Sequence, residues 1–324
     1  MDNFQTFRFQ SHDFDEISAS LSRWDQTYRQ LSAGPFFGDV EYLQIDGMEI
    51  FELHWGQVIH YQGLTPPGTI GFGLPLTFTG ESRYLNRPVS NGQLLIQQCG
   101  SEGDLIGSRN FKIQVLTVNE QRFLNKVAST TGGDSRQLLR NISTITLSPG
   151  VTETLRRKFQ TLIHNAHHHF RHRQVADNIR LLAEDLLDSI TDIVISGNFE
   201  QTKSCLQRQQ QLVKKAEDFV WSYPVLPPRY DTMCANLGTS ERSLRYAFKA
   251  CTGMSAGTYL KAFRLNQVRS ELKTRSPQST RVQDVAFGWG FSHMGQFAAD
   301  YKRLFGEPPS ETLRRGYRFQ SAVS

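Results

Sequence analysis

Two different periods divide the chain. Over the first half, apolar residues come in short alternating runs. Leu43 and Ile45, then Asp46-Gly47, then Met48 and Ile50 predict a β-hairpin closed by an Asp-Gly turn. Asn91-Gly92, followed by Leu94, Leu95 and Ile96, suggests a second such turn, and Phe111 to Val118 alternates as a further strand. Pro66-Pro67-Gly68, Gly71, Gly73 and Gly80 punctuate the runs, a pattern that favours a barrel or sandwich. Ahead of them, residues 13–31 read as a helix with Phe14, Ile17, Leu21 and Trp24 on one face.

From Pro149 the period becomes helical. Val151, Leu155, Phe159, Leu162 and Ile163 keep it, as do Ile179, Leu182, Leu186 and Ile190, until Ser196-Gly197-Asn198 interrupts. These helices could pack against a second copy of the chain or cap the barrel; the pattern allows both. Beyond them Leu212, Ala216, Phe219 and Val220 mark an amphipathic helix that stops before Pro224, with Pro227-Pro228 preventing its continuation.

The C-terminal third contains an internal repeat. Cys234-x3-Gly238, Leu244-x3-Phe248-Lys249, Gly253 and Leu260 form one copy. Ala286-x3-Gly290, Phe297-x3-Tyr301-Lys302, Gly306 and Leu313 form the other. Positions from Phe248 onward recur after 53 residues and the Cys234/Gly238 pair after 52, so the second turn is one residue longer. A small residue lets two helices cross closely. A glycine four residues later ends the first helix in the left-handed conformation of a tight turn. Ser240 and Ser292 are the expected N-caps of the helices that follow. Each copy is a helix-turn-helix, whose second helix can enter a DNA major groove. Residues 255–273 join the copies as one helix, with Tyr259, Leu260, Phe263, Val268 and Leu272 as its apolar stripe. At ~1.5 Å per residue it spans roughly 28 Å, close to the ~34 Å between successive major grooves on one face.

Charge follows this division. Residues 209–324 hold 17 Lys/Arg against 9 Asp/Glu, while residues 1–208 hold 19 against 22, so only the C-terminal part is suited to a polyanion. The four cysteines form no Cys-x-x-Cys pair, which argues against a disulfide framework or structural zinc and fits a reducing cytoplasm. The start has no signal-peptide core and no apolar run suffices for a membrane span, so a cytoplasmic protein without membrane contact is expected.

The segments LGTSERSLRYAFKACTGMSAGTYLKAFRLNQVRSEL and VQDVAFGWGFSHMGQFAADYKRLFGEPPSETLR carry a resemblance to the DNA-binding domain of the AraC/XylS family of bacterial transcription regulators. Its most specific motifs are Gly290-Phe291, Tyr301-Lys302 and Phe305-Gly306-x-Pro308-Pro309-Ser310. The N-terminal part resembles the cupin-like effector-sensing domains attached to that family. It is more loosely similar to ethanolamine-utilisation-type regulators through Leu31-Ser32-x-Gly34-Pro35-Phe36. The expected fold is α+β: a β-rich, cupin-like sensing domain over 1–150, a helical connector open either to dimerisation or to capping the barrel over 151–208, and an all-α DNA-binding domain over 209–324. Its helix-turn-helix motifs fall at about 230–251 and 282–305.

On the first reading helix, Arg242 and Arg245 are the expected base readers, because Arg can bond guanine bidentately. The resemblance places positions 242, 245 and 246 (Tyr246) towards bases, and Lys249 is expected on a phosphate. Glu241 suits the helix dipole. On the second helix, His293 and Gln296 can reach bases, while Lys302 and Arg303 serve the backbone. Gly295 and Ala299 stand where the family often carries long polar chains, so the second motif is expected to read sequence weakly.

Other signals carry less. His164, His168 and His172 share a helical face, with His167 and His169 beside them. No carboxylate or thiolate lies within the run, and Arg171 and Arg173 oppose a cation, so a solvated face is the reading and no metal is assigned. The barrel region offers only His54 and His60, too few for the His-x-His set of cupin dioxygenases, and Cys99 has no histidine near it in sequence. Gly71-Phe72-Gly73-Leu74-Pro75 lacks phosphate-loop spacing. Trp24 and Trp55 are aromatic core residues that could also line an effector pocket. No catalytic residue, cofactor or effector-binding residue is assigned. The sequence thus points to a transcriptional regulator binding double-stranded DNA, controlled by a small-molecule effector, with RNA polymerase as partner of an activator and a homodimer as its assembly. A constitutive DNA-binding module, or a cupin-type enzyme fused to one, stays open.

Overall fold

A computed structural model describes residues 4–132, 136, 139, 142–168, 173–197, 199–201, 204–222 and 230–323. Among the described residues, thirteen antiparallel strands form two facing sheets. The larger has the order β1 (Gln5–Ser11), β3 (Gly38–Ile45), β4 (Met48–Trp55), β11 (Arg109–Asn119), β6 (Thr69–Thr79), β9 (Gln93–Gln97), β12 (Ile142–Thr146) and β13 (Phe199–Gln201). The smaller has the order β2 (Asp25–Gln30), β5 (Ile59–Leu64), β10 (Gly103–Gly107), β7 (Ser82–Tyr84) and β8 (Arg87–Val89). The two antiparallel sheets face each other around one apolar core and form the barrel.

The Asp-Gly hairpin stands as predicted. β3 pairs with β4 in register from Ile45 opposite Met48, and Asp46 (φ 47°) and Gly47 (φ 78°) both take the positive φ of a two-residue turn. Asn91-Gly92 differs from expectation. Gly92 does turn (φ 78°), but β8 pairs with β7 in one sheet while β9 pairs with β6 in the other, so the chain crosses between sheets there.

The helix expected over 13–31 is also corrected. Helix α1 is confined to Phe14–Ser20, capped by the Asp13 carboxylate accepting from the Asp15 amide, and β2 follows. In β2 the buried positions Tyr28 and Gln30 are two apart, a strand period that sparse apolar residues hid.

The larger sheet is buried on both faces. Its inner face meets the smaller sheet through Phe51, Leu53, Trp55, Ile113 and Val115. Its outer face packs Leu43, Ile50, Phe72 and Leu116 against helices α2 (Glu120–Thr131), α3 (Pro149–His168) and α4 (Arg173–Ser196), which contribute Phe123, Phe159 and Leu186. Helices α3 and α4 therefore cap the barrel. His169 and His172 of the histidine run lie outside the described residues, as do Pro224, Pro227 and Pro228; a ring nitrogen of His167 lies 2.9 Å from the Thr6 hydroxyl.

The remaining helices are α5 (Ser204–Ser222), α6 (Tyr230–Leu237), α7 (Glu241–Thr252), α8 (Ala256–Thr274), α9 (Val282–Gly288), α10 (Met294–Phe305) and α11 (Pro309–Val323). Helix α8 is the joining helix foreseen, capped by Ser255 and buried around most of its circumference from Tyr259 to Leu272. The inner barrel core continues into this helical unit as one apolar cluster, from Phe14 and Phe36 to Phe305.

Candidate nucleic-acid interface

The two helix-turn-helix units repeat in their hydrogen bonds as well as their residues. In the first, Thr239 N–H donates to Cys234 O at 3.0 Å and Gly238 N–H to Ala235 O at 3.3 Å. In the second, Phe291 donates to Ala286 O at 3.0 Å and Gly290 to Phe287 O at 2.9 Å. Gly238 (φ 59°) and Gly290 (φ 75°) supply the left-handed residue that each turn requires. Cys234 and Ala286 are both buried, as close helix crossing demands.

The second helices start differently. Ser240 caps α7, its hydroxyl accepting from the Ser243 amide at 3.1 Å. The expected Ser292 cap is not found: the extra residue in the second turn puts His293 at the N-cap of α10, without a side-chain cap bond. Both helices end on a left-handed glycine, Gly253 and Gly306.

Leu244, Ala247, Phe248 and Cys251 turn α7 inward, and Phe297, Tyr301, Leu304 and Phe305 do so for α10. The predicted readers occupy the opposite faces. Arg242, Arg245, Tyr246 and Lys249 are exposed on α7, and His293, Gln296, Lys302 and Arg303 on α10. Tyr246 is 63% exposed, unusual for so large an aromatic side chain. Arg245 donates to Glu241 at 2.6 Å one turn earlier and sits 5.9 Å from the Tyr230 ring, so its guanidinium is held near the start of the helix. Lys249 donates to Gly253 O at 2.8 Å, completing the C-terminus of its own helix. Arg303 pairs with the buried Asp300, which Lys261 also approaches at 3.2 Å. Gly295 and Ala299 leave a polarity gap in the exposed face of α10.

Sequence reasoning missed where these helices are anchored. The guanidinium of Arg83, the central residue of β7, donates to Ala250 O in the last turn of α7. At the end of α10, Gly34 N–H donates to Arg303 O at 2.9 Å and the Gln30 amide to Leu304 O at 2.5 Å. An added Cβ on Gly306 would come within 2.9 Å of Pro35. Both reading helices are thus tethered by their C-terminal ends to the barrel. Only the short motif Leu31-Ser32-x-Gly34-Pro35-Phe36 had marked one of these segments.

A second seam is ionic. Arg269 of α8 is buried, 2.8 Å from Asp13, beside Asp15 and 4.3 Å over the Phe14 ring. Lys273 reaches the same two carboxylates at 2.7 and 2.9 Å. Burial pushes the Asp13 carboxyl up, but Arg269 and Lys273 outweigh it and hold it down at about 2.

Inside the barrel a cavity of about 70 Å³ is lined almost wholly by apolar side chains, among them Trp24, Tyr28, Phe51, Trp55, Tyr61 and Val115. The buried Trp55 indole N–H has no hydrogen-bond partner among the described residues. The two barrel histidines do not converge. His54 lies 3.0 Å from Asp39, whereas His60 is buried between Asp104 and the Tyr259 hydroxyl. Cys99 is half-buried.

Comparison with known proteins agrees with this geometry. A family model described as a helix-turn-helix domain matches residues 233–315. The probable thc operon regulatory protein of Rhodococcus erythropolis is 36% identical over 103 residues, 32% of this chain and 31% of that protein. The XylDLEGF operon transcriptional activator 2 of Pseudomonas putida is 30% identical over 135 residues, 41% of this chain and 81% of that protein. The match thus spans about a third of the Rhodococcus relative and most of the Pseudomonas one. The crystal structure of the AraC-like transcriptional activator CuxR superposes with a TM-score of 0.45 at 14% identity, over 82% of this chain and 96% of that one. With its paired helix-turn-helix units and these relatives, the chain belongs to the AraC/XylS family of transcriptional regulators.

Proposed function

We propose that this chain is a cytoplasmic, sequence-specific DNA-binding transcriptional activator and not an enzyme. The observation that carries the reading is the pair of hydrogen-bond-matched helix-turn-helix units, each with its polar face exposed, in the basic third of the chain. Arg242, Arg245 and Tyr246 read base edges; Lys249, Lys302 and Arg303 meet the phosphate backbone, Arg303 less strongly because Asp300 already holds it. His293 and Gln296 add a weaker second contact. RNA polymerase and a second copy of the chain complete its macromolecular partners. Selection of binding sites from random duplex DNA tests the reading. One well-specified half-site and a more degenerate one about a helical turn away are expected; no enriched sequence would refute it.

The barrel reads as the sensor. Its cavity is lined almost wholly by apolar side chains, so the fitting effector is a small, largely apolar molecule. A constitutive regulator with a purely structural barrel is the competing view. Thermal shifts of the full chain across apolar carboxylates and esters separate the two, because a ligand that binds only the folded state raises Tm.

A further inference from the structure

Four side chains from four elements meet where the barrel joins the helical unit. One ring nitrogen of His60, on β5, lies 2.8 Å from the Tyr259 hydroxyl of α8, and the other lies 3.1 Å from the Asp104 carboxylate of β10. Tyr259 donates in turn to Glu217 of α5 at 2.5 Å. His60, Tyr259 and Glu217 are all buried, and the run of contacts ties two barrel strands to two helices.

The hydrogens in this run can be counted. Glu217 to Tyr259, Tyr259 to His60 and His60 to Asp104 are three contacts, and each needs one hydrogen between its heavy atoms. Tyr259 brings one and keeps it, because burial, and after it the Glu217 carboxylate, push its hydroxyl well above the ordinary tyrosine range. A neutral imidazole brings one more, and ionised carboxylates bring none. Two hydrogens do not fill three contacts. With Tyr259 donating to Glu217 and the ring donating to Asp104, the other ring nitrogen would meet the Tyr259 oxygen lone pair to lone pair. A third hydrogen, on the ring or on Glu217, completes the run.

The charges around it are mixed. Arg29 of β2 stands opposite His60, and Arg83 of β7 lies further along the same row, across Ile106 of β10; both oppose an added positive charge. Asp104, Glu217 and Glu102 favour one, and Lys214 of α5 is already paired with Glu102 at 2.8 Å. Burial pushes the Asp104 carboxyl up, but His60, Gln62 and Arg29 outweigh it, so this end of the run stays an acceptor. Cys251 of α7 is neutral, since burial and then Asp104 push its thiol up to about 12. His60, Asp104 and Glu217 line a cavity of about 420 Å³ with the half-exposed Glu102 and Lys214 at its rim, which gives solvent protons a route to the run.

We propose that this run is a proton latch: docking of the barrel on the helical unit takes up one proton from solvent, and loss of that proton opens the contact between His60 and Tyr259. The latch does not depend on which side chains read DNA. Its sign follows from linkage. Above the ordinary histidine range, about 6.5, the unfolded chain lacks the extra proton that the docked chain holds, so stability falls as pH rises until the docked chain has released it too. A shift from neutral to mildly alkaline pH therefore loosens the hold of β5 and β10 on α5 and α8.

Urea unfolding of the full chain from about pH 6.5 to 9 tests this, with Glu217→Gln as the diagnostic variant. The Gln amide donates to Tyr259, which then donates to His60, so a neutral ring completes all three contacts with no added proton. The folded-to-unfolded ratio of the parent should fall, relative to that of Glu217→Gln, by up to about tenfold per pH unit. Tyr259→Phe cuts the run in the middle, leaving a neutral ring to satisfy Asp104 alone; it should start less stable and show the same flattened pH profile. Parallel profiles for the parent and Glu217→Gln, or a Tyr259→Phe chain that keeps the slope of the parent, would each overturn the latch.

Discussion

Gln30 and Asn266 bond to each other as if they were neighbouring strands. The Gln30 backbone N–H donates to the Asn266 side-chain oxygen at 2.9 Å, and the Asn266 amide donates back to Gln30 O at 2.9 Å. β2 is an edge strand, and its outer peptide groups would otherwise go unpaired in a buried seam. A helix side chain supplies both partners. Asn266→Ala would orphan a buried donor and a buried acceptor, and should destabilise the full chain by ~2–4 kcal/mol. Urea melts would show it, and a loss well under ~1 kcal/mol would mean that water replaces the pair.

The ionic seam predicts an acid response. An unfolded aspartate titrates near 3.8, whereas folded Asp13 stays ionised down to about 2. The folded state therefore gains stability from this group above the unfolded value and loses it as pH falls from about 4 towards 2. The contribution at neutral pH is roughly 2 kcal/mol. Asp13→Asn keeps an acceptor for the α1 cap but loses the charge. Its stability should lie below that of the parent at pH 7 and converge with it in acid; parallel curves would exclude Asp13 as the source.

The readers should separate by kind. Arg245→Ala should cost ~1–3 kcal/mol on the selected site and relax one or two base pairs, partly by freeing Glu241. Gln296→Ala should cost less. Lys302→Ala should weaken binding to every sequence alike and make the salt slope shallower by about one. Salt-dependent electrophoretic shifts distinguish these patterns, and a sequence-dependent effect of Lys302→Ala would contradict the phosphate assignment.

Cys234 tests the first helix crossing. It is buried, and burial pushes its thiol up, so it serves as a small apolar residue. Cys234→Ala should be nearly silent, and Cys234→Leu should overpack by ~1–3 kcal/mol. Thermal melts of the full chain measure both.

What the sequence made readable was local. The repeat, its glycines, the Asp46-Gly47 hairpin and the joining helix follow from turn chemistry and period, each confined to a few neighbouring residues. The Ser292 cap failed because a one-residue insertion moves the helix start while a serine stays attractive at the old place. β2 failed because an edge strand closed by a helix needs few apolar residues of its own. Arg83, Gln30, Asn266 and Arg269 look like ordinary polar residues in sequence, since their partners lie far along the chain. The exposed faces of α7 and α10 could be foreseen; the mounting behind them could not.

That mounting bears on operator architecture. With Arg83 on Ala250 and Gln30 on Leu304, the barrel braces both reading helices from behind, in addition to α8. The distance and phase between the two half-sites then depend on the shape of the barrel as much as on one helix. Inserting a single base pair displaces the second half-site by about 3.4 Å and turns it by roughly one tenth of a revolution. A rigidly braced chain should tolerate that insertion poorly. A chain with Arg83→Ala, free at one mount, should accept it more readily while binding the native spacing less tightly, so that spacing tolerance becomes a gauge of how firmly the barrel grips the two helices.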